Sequence, residues 1–214
     1  MILKWTGRIM VGLGVVILLF VGYQLVGTNL IAKQNQRTLE DQLKRQLQAP
    51  APTPTAPGGP GGQQPSPSPS TASPAELGSG IAVIEAPKIG LHSVVVQGIS
   101  VQDLRKGPGH FPNSAMPGQT GNVVISGHRT TYGAPFSRLN ELAKGDTIKL
   151  VTAQGTFDYQ VTQQRIVAPT EVSVIAPTSD SRLTLTTCHP KFSAAQRLIV
   201  IASLVIPGHE GAAA

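Results

Sequence analysis

Between Ala49 and Gly78 the chain reads APAPTPTAPGGPGGQQPSPSPSTASPAELG, and nine of its 18 prolines fall in that stretch. Proline fixes its own φ and has no N–H to donate, so so dense a run completes neither a helix nor a sheet ladder. The intervening residues are mostly Gly, Ser, Thr, Ala and Gln, which bury little apolar surface. Residues 49–78 therefore read as a disordered, polyproline-type linker interrupted by flexible glycines. Fully stretched at ~3.1 Å per residue it reaches up to ~90 Å. The chain of 214 residues is thereby divided into the residues before and after this linker.

The residues before the linker divide in two. Positions 9–32, IMVGLGVVILLFVGYQLVGTNLIA, carry no charge and are flanked by Arg8 and Lys33. A helix of that length spans ~36 Å, enough for a hydrocarbon core of ~30 Å with some tilt. A cleaved signal peptide has an apolar region of only ~7–15 residues ending at a small-x-small site. This longer run continues into GTNLIAKQNQ, so it reads as an uncleaved transmembrane anchor. Gly12 and Gly14 lie inside it and belong to the membrane helix, not to a phosphate loop. Lys4 and Arg8 precede the span, while Lys33, Arg37, Lys44 and Arg45 follow it. The charge rule therefore does not favour a cytoplasmic amino terminus, although large domains translocate regardless of such charges. Residues 33–48 place Leu39, Leu43 and Leu47 on one helical face, as a solvated stalk helix or a weak self-association seam.

From Gly80 the texture changes to short β-like runs bounded by Gly, Pro, Asn and Asp. Seven are candidates for strands: IAVIEAP, LHSVVVQG, GNVVISGH, DTIKLVTA, GTFDYQVTQQRIV, RLTLTTC and RLIVIASLVI. One short helix is expected at PFSRLNELAKG, with Leu139 and Leu142 inward and Gly145 as its stop. Aromatic residues are only 4% of the chain, so the core rests on Val, Ile, Leu and Ala. The pattern predicts a mainly β barrel or sandwich over residues 79–206, with 207–214 as a flexible tail.

Charge and cysteine content narrow the function. Residues 1–78 carry six basic and three acidic groups, and 79–214 carry eleven and eight, so the net +6 is spread evenly. No Lys/Arg tract with interleaved aromatics appears, which argues against nucleic acid as a partner. The basic balance fits a surface beside an anionic membrane or wall. One cysteine, Cys188, excludes a disulfide scaffold and a cysteine zinc site. It is either a small buried hydrophobe or a nucleophile.

A cysteine nucleophile attacks as its thiolate, helped by a basic partner and by a donor for the developing oxyanion. His128 follows the apolar run VVISG, at a strand-to-loop edge. Cys188 ends LTLTTC, and Arg197 opens RLIVIASLVI. Singly each has a structural explanation. Together they fit a Cys–His pair with an Arg donor, each at the end of an expected strand.

GHR at 127–129, LTTC at 185–188 and RLIV at 197–200, in that order, resemble the signature of sortases, the membrane-anchored cysteine transpeptidases of Gram-positive bacteria. The longer stretches GNVVISGHRTTYGAPFSRLNELAKGD and TLTTCHPKFSAAQRLIV are similar to class E members of high-GC species. In class D-like members an aromatic commonly follows the cysteine, where this chain has His189-Pro190. The resemblance covers roughly residues 80–206 and implies an eight-stranded barrel, a cytoplasmic residues 1–8 and an extracellular catalytic domain. It implies that Cys188 attacks the Thr–Gly bond of a C-terminal sorting signal of the Leu-Ala-x-Thr-Gly or Leu-Pro-x-Thr-Gly type. His128 would exchange protons with the leaving and entering amines, and Arg197 would stabilise the oxyanion or hold the signal peptide's backbone. The acceptor would be a peptidoglycan precursor or cross-bridge amine. Thr187 occupies the family position that contacts the signal peptide, and Tyr132 is a candidate for the substrate groove. Some sortases use calcium, but no clustered carboxylates here make a convincing site, so neither metal nor other cofactor is expected.

Three readings compete. A pilin-polymerising sortase would use a lysine acceptor. An L,D-transpeptidase has Ser-His-Gly-Cys followed closely by Arg, whereas Cys188 is preceded by Thr-Thr and followed by His-Pro-Lys. A non-enzymatic, membrane-tethered β barrel would bury Cys188 as an inert filler. His110 and His189 are read as structural or as tuning the site electrostatically, and His92 and His209 have no supporting context.

Overall fold

The computed structural model describes residues 2–48 and 76–205, without the side chains of 2–4, 21, 23–28, 46 and 47. The linker at 49–75 and the tail at 206–214 lie outside the described residues. Helix α1 spans Ile2–Gln48. The strands are β1 (Gly80–Ala86), β2 (Leu91–Gln97), β3 (Gly109–His110), β4 (Gly121–Ser126), β5 (Thr147–Thr152), β6 (Gly155–Val167), β7 (Ser181–His189) and β8 (Gln196–Leu204). A short helix, α2 (Val101–Lys106), links β2 to β3.

The strands close into one barrel in the order β1-β2-β3-β4-β7-β8-β6-β5. The β2/β3 and β4/β7 pairs are parallel and the others antiparallel. Closure leaves no open sheet edge. All seven expected strands are present. The eighth, β3, is two residues long and owes its existence to pairing with β2 and β4 on either side.

Period-two alternation sends one set of side chains inward. Val123 and Ile125 of β4, Leu183 and Leu185 of β7, and Leu198, Val200 and Ala202 of β8 fill the interior with Ile84, Ile148, Leu150 and Tyr159. The continuous Val94-Val95-Val96 of β2 shows why that strand does not alternate in polarity. Val95 faces the barrel interior, whereas Val94 and Val96 face outward and are covered by Leu39 and Leu43 of α1.

The leucine face of 33–48 is therefore packed against the barrel. Leu39 and Leu43 are 6% and 2% exposed. Burying each contributes about 1.5–3 kcal/mol. This corrects the solvated-stalk expectation for that face: the partner is the outer surface of β2. Gln36 reinforces the contact, donating from Nε2 to the carbonyls of Val94 (3.1 Å) and Lys106 (2.7 Å) and accepting from Val94 N–H (2.7 Å) and Ser93 Oγ (2.9 Å). The helix thus replaces solvent along one stretch of β2. Among the described residues no helix is long and apolar enough to cross a membrane.

The expected helix at 135–145 is only a single 3-10 turn, Leu139–Glu141. Leu139 and Leu142 do point inward and are buried. The turn ends where Leu142 takes an extended backbone (φ −69°, ψ 135°), and Gln164 of β6 donates from Nε2 to the carbonyls of Leu139 and Leu142. Asp146 Oδ2 takes the Ala143 N–H at 2.6 Å. Helix α2 carries a capping box, in which Ser100 and Asp103 each bond the other's backbone N–H. That Ser-x-x-Asp signature stands in the sequence before VQDLRK.

Candidate active site

Strands β4 and β7 run parallel in register, with Ser126 opposite Thr186. Beyond that pair, Gly127 N–H donates to Thr186 O at 3.1 Å. His128 and Cys188 each follow two residues after a member of the pair, so both leave the barrel at the same end. Strand β8 returns antiparallel and sets Arg197 directly opposite Cys188. Directly opposed residues share a sheet face, with Cβ atoms about 4.5–5.5 Å apart. Leu185 and Leu198 are interior, so Cys188 and Arg197 both point to the outer face. Three residues chosen from sequence are thereby gathered at one end of β4-β7-β8.

The same alternation turns Thr187 the other way. Its side chain is 3% exposed, and its hydroxyl donates to Gly127 O at 2.7 Å. Its hydroxyl is committed to fixing the backbone before His128. Gly127 itself is required by close packing. A Cβ there would lie 2.6 Å from the ring of Phe136, whose N–H donates to His128 O at 3.0 Å.

His128 is half-buried and packs against Tyr132, with ring centroids 5.0 Å apart at 44°. The Arg105 guanidinium of α2 lies 5.5 Å from the Tyr132 centroid, a cation–π distance. Burial, then the positive charge of Arg105, holds the His128 imidazole below its ordinary pKa. Tyr132, Gly133 and Ala134 all have positive φ, of 50°, 78° and 46°. For Tyr132 and Ala134 that is a strained backbone, sustained only where surrounding structure enforces it. Part of that enforcement comes from α1, where Asn29 Oδ1 accepts from Gly133 N–H at 3.0 Å.

Cys188 is a free thiol, half-exposed. Arg197 donates from Nη1 to the carbonyls of Ala194 and Gln196, both at 2.9 Å. Sequence reasoning passed over Arg129, whose side chain is 6% exposed. Its Nη1 donates to Cys188 O (3.2 Å) and to His189 Nδ1 (2.9 Å), and its Nη2 donates to Asn140 Oδ1 (2.9 Å). The only sequence hint was a charge directly after His128, because its three partners come from distant positions.

The other histidines separate by location. His110 is fully buried, with Nδ1 2.9 Å from the Gln97 amide and Nε2 2.9 Å from both Ala115 O and Ser114 Oγ. It is a structural node joining β3 to β2 and the following loop. His92 lies on the exterior near Glu85 (3.3 Å) and Glu40 (3.8 Å). His209 lies outside the described residues. Among the described residues no three His, Cys, Asp or Glu come together as a metal site. A groove of about 630 Å³ runs between α1, β2 and the 132–138 loop, lined by Ala32, Gln36, Leu91, Tyr132 and Pro135 among others. It approaches the site through Tyr132 but does not include Cys188, His128 or Arg197.

The thiol, imidazole and guanidinium at one strand end suit acyl transfer through a covalent cysteine adduct. The family description "Sortase domain" matches residues 84–205. The chain belongs to the sortase family. The fold, an eight-stranded closed barrel with few short helices, is that of the sortases. This sortase is 38% identical to Sortase D of Bacillus subtilis over 116 residues, covering 54% of this chain and 57% of that protein. It is 30% identical to Sortase SrtE1 of Streptomyces coelicolor over 219 residues, covering 93% of this chain and 56% of the relative. It thus spans little more than half the length of these curated relatives. Among solved structures it is similar to a Clostridium perfringens Sortase D5 transpeptidase. That likeness has a TM-score of 0.67 at 27% identity and covers 81% of this chain and 99% of the other.

Proposed function

We propose that this sortase is a cysteine transpeptidase, and the observation that carries the reading is the register placing Cys188, Arg197 and the His128 loop at one barrel end. The Cys188 thiolate attacks the Thr carbonyl of a sorting signal, forming a tetrahedral intermediate whose oxyanion Arg197 stabilises. Collapse breaks the Thr–Gly C–N bond as His128, in its protonated form, gives its proton to the departing glycine amine. The thioacyl enzyme remains, with His128 neutral. An incoming amine then attacks the thioester carbonyl and loses its proton to His128, which regenerates thiolate and imidazolium. The lowered proton affinity of His128 makes its protonated form a stronger acid toward the leaving amine. It also tilts the resting protein toward neutral imidazole.

The proposed substrate is a surface protein ending in a Leu-Ala-x-Thr-Gly or Leu-Pro-x-Thr-Gly signal, and the proposed acceptor is a peptidoglycan precursor or cross-bridge amine. His189-Pro190 after the nucleophile, and the match to SrtE1 across 93% of this chain, support a class E assignment. A pilin-polymerising role is the second reading, favoured by likeness to a pilus-related sortase C of Group B Streptococcus, 31% identical with a TM-score of 0.57. The uncharged run at 9–32 supports single-pass anchoring, with residues 1–8 cytoplasmic and the barrel outside. Tyr132, packed on His128, is proposed to border the peptide.

The test is cleavage by the full chain, in detergent, of peptides varying the second motif position, with cross-bridge amines or a pilin lysine peptide as acceptors. Thr–Gly cleavage with amine transfer is expected, and it should vanish in Cys188→Ala and fall by orders of magnitude in His128→Ala and Arg197→Ala. Cleavage that survives in Cys188→Ala would sink the mechanism.

A further inference from the structure

Arg129 is a buried cation for which the mechanism above has no use. Arginine carries five N–H donors and cannot shed its charge under ordinary conditions. Its acceptors here are all neutral: the Cys188 carbonyl, the Asn140 amide oxygen and the His189 imidazole. Its Nε is buried without a hydrogen-bond partner. Every ion pair among the described residues joins other side chains, so no carboxylate lies within 4.0 Å of Arg129. Burying an unpaired charge is expensive, and such groups persist where the charge is used. The anion that can form beside it belongs to Cys188, the residue whose carbonyl it holds. Burial weakens Arg129's hold on its proton, and the charge of Cys188 opposes that loss.

We infer that Arg129 is a positioning residue for the nucleophile: clamped by Asn140 and His189, it fixes the Cys188 backbone and supplies the buried positive charge that favours the ionised sulfur. The inference rests on Cys188 being the nucleophile. Two cations then flank the thiolate with separate duties. Arg197 sits opposite on β8 and meets the substrate oxyanion, while Arg129 stays buried and holds the sulfur's own residue. The clamp also gives His189 a chemical role. A guanidinium has only donors, so Nδ1 must be bare to accept and the ring hydrogen sits on Nε2. Asparagine can present an acceptor in a similar place, whereas alanine cannot.

The elements that carry the site hold His128 after β4, His189 at the end of β7, Lys191 in the β7–β8 loop and Arg197 as the second residue of β8, and Arg105 of α2 acts on His128. Glu141, in the turn that carries Asn140, is already paired with Arg138 at 2.7 Å.

The experiment follows iodoacetamide alkylation of Cys188 against pH in the full chain, by intact mass, together with peptide-cleavage kinetics. In Arg129→Met the alkylation midpoint should move alkaline, by up to about 1–3 pH units, the range for losing a nearby opposite charge. Cleavage at neutral pH should fall at least in proportion. Arg129→Lys should restore much of the midpoint, since the charge returns, but not the cleavage rate, since the fork does not. His189→Asn should track the wild type, and His189→Ala should move toward Arg129→Met. A folded Arg129→Met with an unmoved midpoint overturns the inference. If Arg129→Met does not fold, Asn140→Ala and His189→Ala decide: both midpoints shifted alkaline supports it, and both unmoved overturns it. A wild-type thiol that resists alkylation, together with a Cys188→Ala variant that still cleaves, would instead refute the nucleophile itself.

Discussion

Replacing His110 by glutamine should flatten the acid side of this protein's stability curve. His110 is fully enclosed, its Nε2 2.9 Å from Ala115 O and its Nδ1 2.9 Å from the Gln97 amide. Burial pulls its pKa below the ordinary 6.5, only partly offset by the Ala115 carbonyl. In the unfolded chain the imidazole protonates near its ordinary value, while the folded one resists. Below about pH 6.5 the unfolded state therefore binds more protons, and stability falls as pH falls. The contribution is complete above the unfolded pKa and is lost below it, until the folded group also titrates. Its slope is at most about 1.4 kcal/mol per pH unit, so from pH 7 to 5 one such histidine accounts for up to about 2 kcal/mol. His128 is shifted in the same direction, by burial and by Arg105, and adds a second contribution of the same sign. Urea unfolding of wild type and His110→Gln at pH 5, 6, 7 and 8 isolates the first. The variant should lose up to about 2 kcal/mol less than wild type between pH 7 and 5, whatever its stability at pH 8. Parallel curves for the two proteins across that range would refute the reasoning.

Leu43→Asp should release α1 from the barrel, because a carboxylate would be driven against Val94 and Val96. The barrel has its own interior cluster, so trypsin should cut faster after Arg37 and Lys44 while the barrel stays resistant. Thr187→Val keeps the shape and orphans the Gly127 carbonyl, at a cost of about 1–3 kcal/mol in urea unfolding. Thr187→Ser should recover most of that. Peptide KM should not follow the hydroxyl, since the hydroxyl faces Gly127.

The strands were legible because each alternates or is continuously apolar between clear breakers, and β6 at 155–167 coincides with its expected run. Strand β3 was not, since two residues carry no period and Gly109–His110 pair only through their neighbours. The helix at 135–145 stops after one turn because Leu142 is extended, its carbonyl met by Gln164 from distant β6, which the local pattern does not show. Leu39 and Leu43 announced an amphipathic face, but nothing local named β2 as its partner. For the site, Cys188, His128 and Arg197 were readable as strand ends. The inward turn of Thr187 could have been read too, by counting in twos from Leu183 and Leu185. Arg129 could not, because Asn140 and His189 meet it only once the barrel has closed. The docked α1 also bears on the linker. With residues 29–43 against the barrel, the reach of the Pro-rich segment is not needed to hold the domain where the structure places it.

The central claim is that Cys188 forms a thioester with a sorting signal. Intact and peptide mass spectrometry of the full chain, incubated with a Leu-Ala-x-Thr-Gly peptide without amine, tests it most directly. The account predicts an added mass equal to the acyl fragment ending in Thr. The adduct should sit on the tryptic peptide 183–191, be released by hydroxylamine and be absent from Cys188→Ala. Thr–Gly cleavage with no adduct on 183–191, undiminished in Cys188→Ala, would contradict it.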